Sequence, residues 1–229
     1  MGLNLYAKLE PLIPYEHEII YLYDAFIEKI EDYNPTTILD VGCGNGNFIK
    51  SCQNCGFDNI KGIDLSSEMV KIAQSKGVDA TACDVAELQG EFDLITAVFD
   101  VLNYLDTASL KSFLTQIHRL LKPGGHFIAD INTKFGFEEV APGTLLLEKA
   151  PLYGAIDADY QNEILTTKLR LFSPNEENSS LFEMQEDSIT QYFHPMSRFK
   201  KISPFSKLEH EPLYLYSDES DKTLLIFTK

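Results

Sequence analysis

Apolar residues recur at helical spacing over residues 16–32, where Ile19, Ile20, Leu22, Tyr23, Phe26, Ile27 and Ile30 are separated by polar positions. Asn34-Pro35 ends that pattern. Thr36–Val41 then reads as a buried strand, Asn47–Cys55 as a helix stopped by Gly56, and Asn59–Leu65 as a second strand. Ser66 and Ser67 are placed to cap a helix that runs to Lys76 and ends at Gly77. Val78–Cys83, Phe92–Val98 and His126–Ile131 are three further strands. Between the last two lies an amphipathic helix, Thr107–Leu121, with Leu110, Phe113, Leu114, Ile117 and Leu120 on one side, followed by the turn Lys122-Pro123-Gly124-Gly125. Strands alternating with helices at this pace predict an α/β fold, Rossmann-like and doubly wound around a mostly parallel seven-stranded sheet.

The periodicity changes after strand five. Residues 133–194 hold no long helical pattern. Thr144–Leu147 is extended, and Asn162–Phe172 and Leu181–Phe193 read as two strands around the polar turn Ser173–Asn178. A stretch this long predicts an antiparallel β insertion, a cap, rather than a plain loop. The division is therefore 1–132 with 195–229 as the main domain, with a helical lead-in, and 133–194 as the cap. A short helix at Met196–Ile202 follows, then a hairpin of Pro212–Tyr216 and Thr223–Lys229 turning at Ser217–Asp221.

The 229 residues carry a formal net charge of −16, the wrong sign for gripping phosphate backbones, so nucleic acid is disfavoured as a partner. The basic cluster Arg198-Phe199-Lys200-Lys201 reads as a solvated helix face. No apolar run approaches the roughly 20 residues that span a bilayer. The first residues lack a secretory signal pattern, which makes a cytoplasmic location the expectation. Cys52-Gln53-Asn54-Cys55 lacks the second ligand pair that a zinc site needs, and no metal site is expected.

The chemistry concentrates at Ile38-Leu39-Asp40-Val41-Gly42-Cys43-Gly44-Asn45-Gly46, a strand ending in a carboxylate and a glycine-rich turn. Such a turn lets backbone N–H groups approach a ligand, and the helix behind it adds a positive dipole end. A nicotinamide dinucleotide loop needs its third glycine at position 47, which is Asn, and Asp40 would repel a pyrophosphate. A nicotinamide-dependent oxidoreductase is thus the weaker alternative.

The Asp-x-Gly-x-Gly-x-Gly loop resembles that of class I S-adenosylmethionine-dependent methyltransferases, and the similarity runs in order through residues 36–131. The resemblance implies S-adenosylmethionine as cofactor, with S-adenosylhomocysteine as product. It gives Asp40, Gly42, Cys43 and Gly44 to the methionyl part, Asp64 to the ribose hydroxyls and Leu65 to the adenine. Asp84 and the backbone N–H of Val85 fall to the adenine edge, and Phe99 to the cavity wall. Leu121-Lys122-Pro123-Gly124-Gly125 resembles the family's turn into strand five. Tyr15, with Tyr6 second, resembles the tyrosine that closes over the cofactor in small-molecule members. The segments around Asp130–Glu138 and Thr190–Pro195 resemble a bacterial group with a β cap over the acceptor site, although the helix after the cap is shorter here.

The function so implied is methyl transfer to a small-molecule acceptor by in-line displacement. A general base is needed when the acceptor starts protonated, and Tyr104 and His194 are the candidates. His17, His118, His126 and His210 read as structural or surface residues. A protein that binds the cofactor without turnover and a methyltransferase acting on protein or tRNA are the alternatives. The β cap is also a candidate homodimer surface.

Overall fold

The computed structural model describes residues 2–14, 16–175, 177–178 and 180–229, with Glu16 described by its backbone. The chain opens with a short helix, α1 (Leu3–Leu9), and a single 3-10 turn, Glu10–Leu12. The long helix α2 (Glu16–Tyr33) leads into β1 (Ile38–Val41). Then follow α3 (Asn47–Asn54), β2 (Ile60–Asp64), α4 (Ser67–Ser75), β3 (Ala80–Ala82) and β4 (Phe92–Ala97). Ser66 caps α4, its hydroxyl accepting from Met69 N at 3.3 Å. A 3-10 turn, Val101–Tyr104, precedes α5 (Thr107–Leu120), whose cap is Asp106, bonded to Ser109 N at 2.8 Å.

β5 (Leu121–Asn132) runs parallel to β4, and β1, β2 and β4 pair in parallel as well. The Lys122–Gly125 segment is a bulge within β5: pairing jumps from Phe92 opposite Leu121 to Leu94 opposite His126. Alternate strand residues face opposite layers. Ile38, Leu94 and Ile128 meet Leu22, Phe26 and Ile30 of α2 and Phe48 and Ile49 of α3. Leu39, Ile95, Phe127 and Ala129 meet Leu110, Leu114, Ile117 and Leu120 of α5.

After β5 comes a second sheet of four antiparallel strands in sequence order: β6 (Gly143–Lys149), β7 (Leu152–Gln161), β8 (Ile164–Pro174) and β9 (Phe182–Tyr192). The chain returns through α6 (Met196–Ile202) to β10 (Lys207–Leu213) and β11 (Lys222–Thr228). β11 is antiparallel to β5, which completes the seven-stranded order β10-β11-β5-β4-β1-β2-β3. The order reverses between β1 and β4, the crevice where such sheets bind ligands.

Three elements depart from the sequence reading. α1 is a helix of its own, shorter than a periodicity window resolves. The cap has a strand, β7, where no strand was expected, because Gly154, Ala155, Ala158 and two aspartates give it a weak apolar signal. β10 begins at Lys207 rather than Pro212, because its exposed polar residues hide an edge strand. Among the described residues no helix is long and apolar enough to cross a membrane.

Candidate cofactor and acceptor cavity

A cavity of about 1160 Å³ opens at the switch point between β1 and β4. Its lining divides into two halves. The half over β1–β3 contains Asp40, Gly42, Cys43, Gly44, Asp64, Leu65, Asp84 and Val85. The other half is formed by the 3-10 turn after β4, by the cap and by the start of β11. Phe99 stands between them, its ring edge-on to Tyr23 at 5.9 Å.

The glycine loop differs from a phosphate cradle. Gly42 N and Cys43 N donate to Ile63 O, Gly44 N to Asp64 Oδ2, Gly46 N to Cys43 O and Asn47 N to Asn45 Oδ1. These N–H groups are engaged inside the protein, which makes the loop a poor anion nest. The glycines act by shape. Gly42 has φ +77°, and a Cβ there would lie 2.8 Å from Val101 Cγ2. Gly44 has φ +52°, in the left-handed region.

Asp64 ties the loop to the next turn. Its Oδ2 accepts Gly44 N at 2.9 Å and its Oδ1 accepts Ser66 N at 2.7 Å. Each carboxylate oxygen keeps lone-pair capacity for a vicinal diol. Asp84 is exposed at the cavity edge and accepts Ala86 N at 2.8 Å, while Val85 is buried beside it. Leu65 stands 64 % exposed at the rim, available to cover a flat ring. Asp40 lies deeper, 1 % exposed, with Thr96 Oγ1 donating to it at 2.8 Å. Burial pushes its carboxyl up to about 7, the Thr96 bond lowers it, and Asp64 raises it again. Burial likewise pushes the Cys43 thiol up, so it stays protonated. Hydroxyl-accepting carboxylates, an apolar rim and no free anion nest suit a nucleoside bearing a cationic amino acid and fit a pyrophosphate poorly.

The acceptor half is built by period-two geometry. Ile156 and Ala158 of β7, Leu165, Thr167 and Leu169 of β8, and Ile189 and Gln191 of β9 all face the cavity. Register sets Ile156 opposite Leu169, Thr167 opposite Ile189 and Leu165 opposite Gln191, so an almost wholly apolar wall ends at one amide.

Beneath that amide lies a charged floor. Lys222, at the start of β11, contacts Asp100 and lies 2.8 Å from Asp130 Oδ2. Asp130 also accepts the N–H groups of Phe99, at 2.7 Å, and Asp100, at 3.2 Å. Both residues hold positive φ, 65° and 58°, so Asp130 pins a strained turn. Burial drives the Asp130 carboxyl up to about 7 and the Lys222 ammonium down to about 7, while the contact between them works against both shifts.

The two base candidates part company. Tyr104 lines the cavity, and burial, with nearby Tyr6, Asp130 and Asp64, pushes its hydroxyl up, which keeps it a neutral phenol. His194 lies outside the lining, 1 % exposed. Its Nε2 donates to Leu105 O at 2.8 Å and its Nδ1 accepts from Arg198 at 2.9 Å, an assignment that follows because Arg only donates. With both nitrogens engaged, His194 is corrected from a base candidate to a strut between the cap's exit and the turn after β4. Tyr15 lies outside the described residues, whereas Tyr6 lines the cavity.

Sequence reasoning did not single out Glu10, Tyr23, Gln191 or Lys222, all of which line the cavity. Glu10 is brought there by α1, and its Oε2 accepts Asn45 Nδ2 at 3.0 Å. Burial raises its carboxyl, against the Asn45 bond and the Lys76 charge. Among the described residues, no group of three His, Cys, Asp or Glu side chains is arranged to hold a metal ion.

Residues 15–195 match the model of a methyltransferase-domain family. A Bacillus subtilis protein whose methyltransferase assignment is itself provisional is 31% identical over 139 residues, 56% of each chain. The ubiquinone biosynthesis O-methyltransferase of Pseudomonas paraeruginosa is 28% identical over 170 residues, 69% of this chain and 64% of its own. The tRNA (carboxymethyluridine(34)-5-O)-methyltransferase of Arabidopsis thaliana is 28% identical over 164 residues, 70% of this chain and 37% of its own. The chain thus spans about half the length of the first curated relatives it matches. The solved structure of an S-adenosylmethionine-dependent methyltransferase from Clostridium acetobutylicum superposes with a TM-score of 0.75 at 22% identity, covering 98% of this chain and 96% of that one. That likeness speaks to the fold.

Proposed function

This chain belongs to the methyltransferase-domain family, and from that premise we propose that it is an S-adenosylmethionine-dependent methyltransferase acting on a small molecule. One observation carries the choice of acceptor: the cap's inner face and the glycine loop line the same cavity, so the acceptor is a body that fits within it. S-adenosylmethionine supplies a methyl group on a sulfonium, a leaving group that needs no further activation. Asp64 would hold its ribose, Asp84 and Val85 its adenine edge, and Asp40 would offset its positive charge from beneath the loop.

The protein's own contribution is then positioning and exclusion of water. The apolar wall of Ile156, Leu165, Leu169 and Ile189 desolvates the acceptor, and the pinned Phe99-Asp100 turn shapes the floor where the two halves meet. Relatives' names include both a quinone-pathway enzyme and a tRNA enzyme. A net charge of −16 disfavours the polyanion and supports the small molecule.

The reading is tested by thermal melting with S-adenosylhomocysteine. The ligand is expected to raise the melting temperature, by mass action on the folded state, and Asp64→Ala to remove most of that rise. An unchanged melting temperature at millimolar ligand would overturn it.

A further inference from the structure

The floor of the acceptor half has a polarity that the wall above it does not. Three charges meet there: Asp100, Asp130 and Lys222. Their exposures rank them. The side chains of Asp130 and Lys222 are 0% and 3% exposed, and that of Asp100 is 18% exposed. Asp130 and Lys222 are therefore the deeper members; Asp100 Oδ1 is itself buried against Lys222, which leaves Oδ2 as the carboxylate oxygen offered to the cavity.

Two carboxylates against one ammonium leave the cluster with an excess negative charge when all three are ionised. Gln191 reinforces this. Its Nε2 points one N–H at Asp100 Oδ2 from 3.5 Å, which leaves the amide oxygen as its acceptor and one further N–H. Asp221 nearby adds no competing site, because its carboxylate accepts Leu215 N and Tyr216 N.

The direction of Asp100 separates it from the cofactor half. Its neighbours are Gln191 of the cap, Lys222 of β11 and Asp130 of β5, whereas Asp40, Asp64 and Asp84 serve the ends of β1, β2 and the loop after β3. Its backbone is held left-handed at φ 58° by the Asp130 carboxylate, so its side chain is aimed by the fold.

We propose that the acceptor is an amine carried on an apolar body, with its nitrogen bound by Asp100 against Gln191 and its body against Ile156, Leu165, Leu169 and Ile189. The inference rests on the methyltransferase reading and names the acceptor class for that same cavity. A carboxylate oxygen and an amide oxygen both accept hydrogen bonds from an amine; an amine arriving as its ammonium passes one proton to the Asp100 carboxylate, which frees the nitrogen lone pair to take the methyl group as the carbon–sulfur bond breaks and S-adenosylhomocysteine leaves. Lys222 and Asp130 are positioning residues: they hold Asp100 and its turn in place.

The experiment uses the full chain saturated with S-adenosylhomocysteine. Affinities are measured by calorimetry for two matched pairs, benzylamine against benzyl alcohol and cyclohexylamine against cyclohexanol. Wild type is expected to bind each amine about tenfold more tightly than its alcohol, a modest preference for a charge-assisted contact. Asp100→Asn, which tolerates the left-handed backbone and leaves Lys222 paired with Asp130, is expected to abolish the preference and to keep S-adenosylhomocysteine affinity within about twofold. Equal binding of amine and alcohol by wild type overturns the inference, as does a preference that survives in Asp100→Asn. If S-adenosylhomocysteine itself does not bind, the methyltransferase reading fails instead, so the two failures are told apart.

Discussion

Asp40 is a carboxylate almost cut off from water, held by the Thr96 hydroxyl at 2.8 Å. Its ordinary value of 3.8 is raised to about 7 in the folded protein, first by burial. The folded state therefore holds the extra proton between those values. The contribution of Asp40 to stability is full below pH 3.8 and is lost as pH rises through 7. Asp40→Asn keeps an oxygen for Thr96 and removes the titration. Urea unfolding of the ligand-free protein is expected to show the variant gaining on wild type from about pH 4 to about pH 7, with a weaker response to S-adenosylhomocysteine as the counterpart. Asp130 is raised by burial as well, but it faces a cation. Asp130→Ala removes one of the two carboxylates against the buried Lys222, leaving it Asp100, and frees two backbone N–H groups, and it is expected to cost about 3–5 kcal/mol in the same unfolding measurement. At this scale the sequence exposed Asp40, Asp64 and Asp84, because each ends a strand at a recognisable spacing. It hid Lys222, whose partner Asp130 is 92 residues away and becomes a neighbour only when β11 pairs with β5.

α1 ties the two halves of the cavity together. Asn4 Oδ1 accepts from Ser66 Oγ at 2.8 Å, Gly2 N donates to Ser188 O at 3.1 Å, and Lys8 reaches Gln185 at 2.9 Å. Leu5 and Leu9 pack with Leu147, Leu169, Leu171 and Ile189 of the cap. Leu9 is fully buried, so Leu9→Ala is expected to cost about 2–5 kcal/mol where the pocket cannot collapse. Hydrogen exchange is the measurement that locates the loss: amides of α1 and of the facing cap strands are expected to exchange faster, while those of β1 and β4 keep their protection. His194 braces the other end of the cap through Leu105 and Arg198. Burial lowers its protonation below the usual 6.5, so its contribution is present above that value and is lost as pH falls through its folded value. The parallel strands and their helices were legible because long apolar runs end at Gly56, Gly77 and Pro-Gly turns. β7 and α1 were not, since the first is rich in small residues and the second is too short to show a period.

Across the whole molecule, the seven-stranded sheet and the four-stranded cap line one shared space, with acidic positions at the ends of β1–β3 on one side and an apolar wall over a charged floor on the other. A single space of this kind supports the proposed small-molecule acceptor, and the net charge of −16 works against a nucleic acid. The central claim is therefore about where the methyl group goes. The most direct measurement incubates the protein with methyl-labelled S-adenosylmethionine and a whole-cell extract, then separates low-mass compounds from protein and RNA. The account predicts enzyme-dependent label in the low-mass fraction that Asp64→Ala abolishes. Label confined to RNA or protein would contradict it.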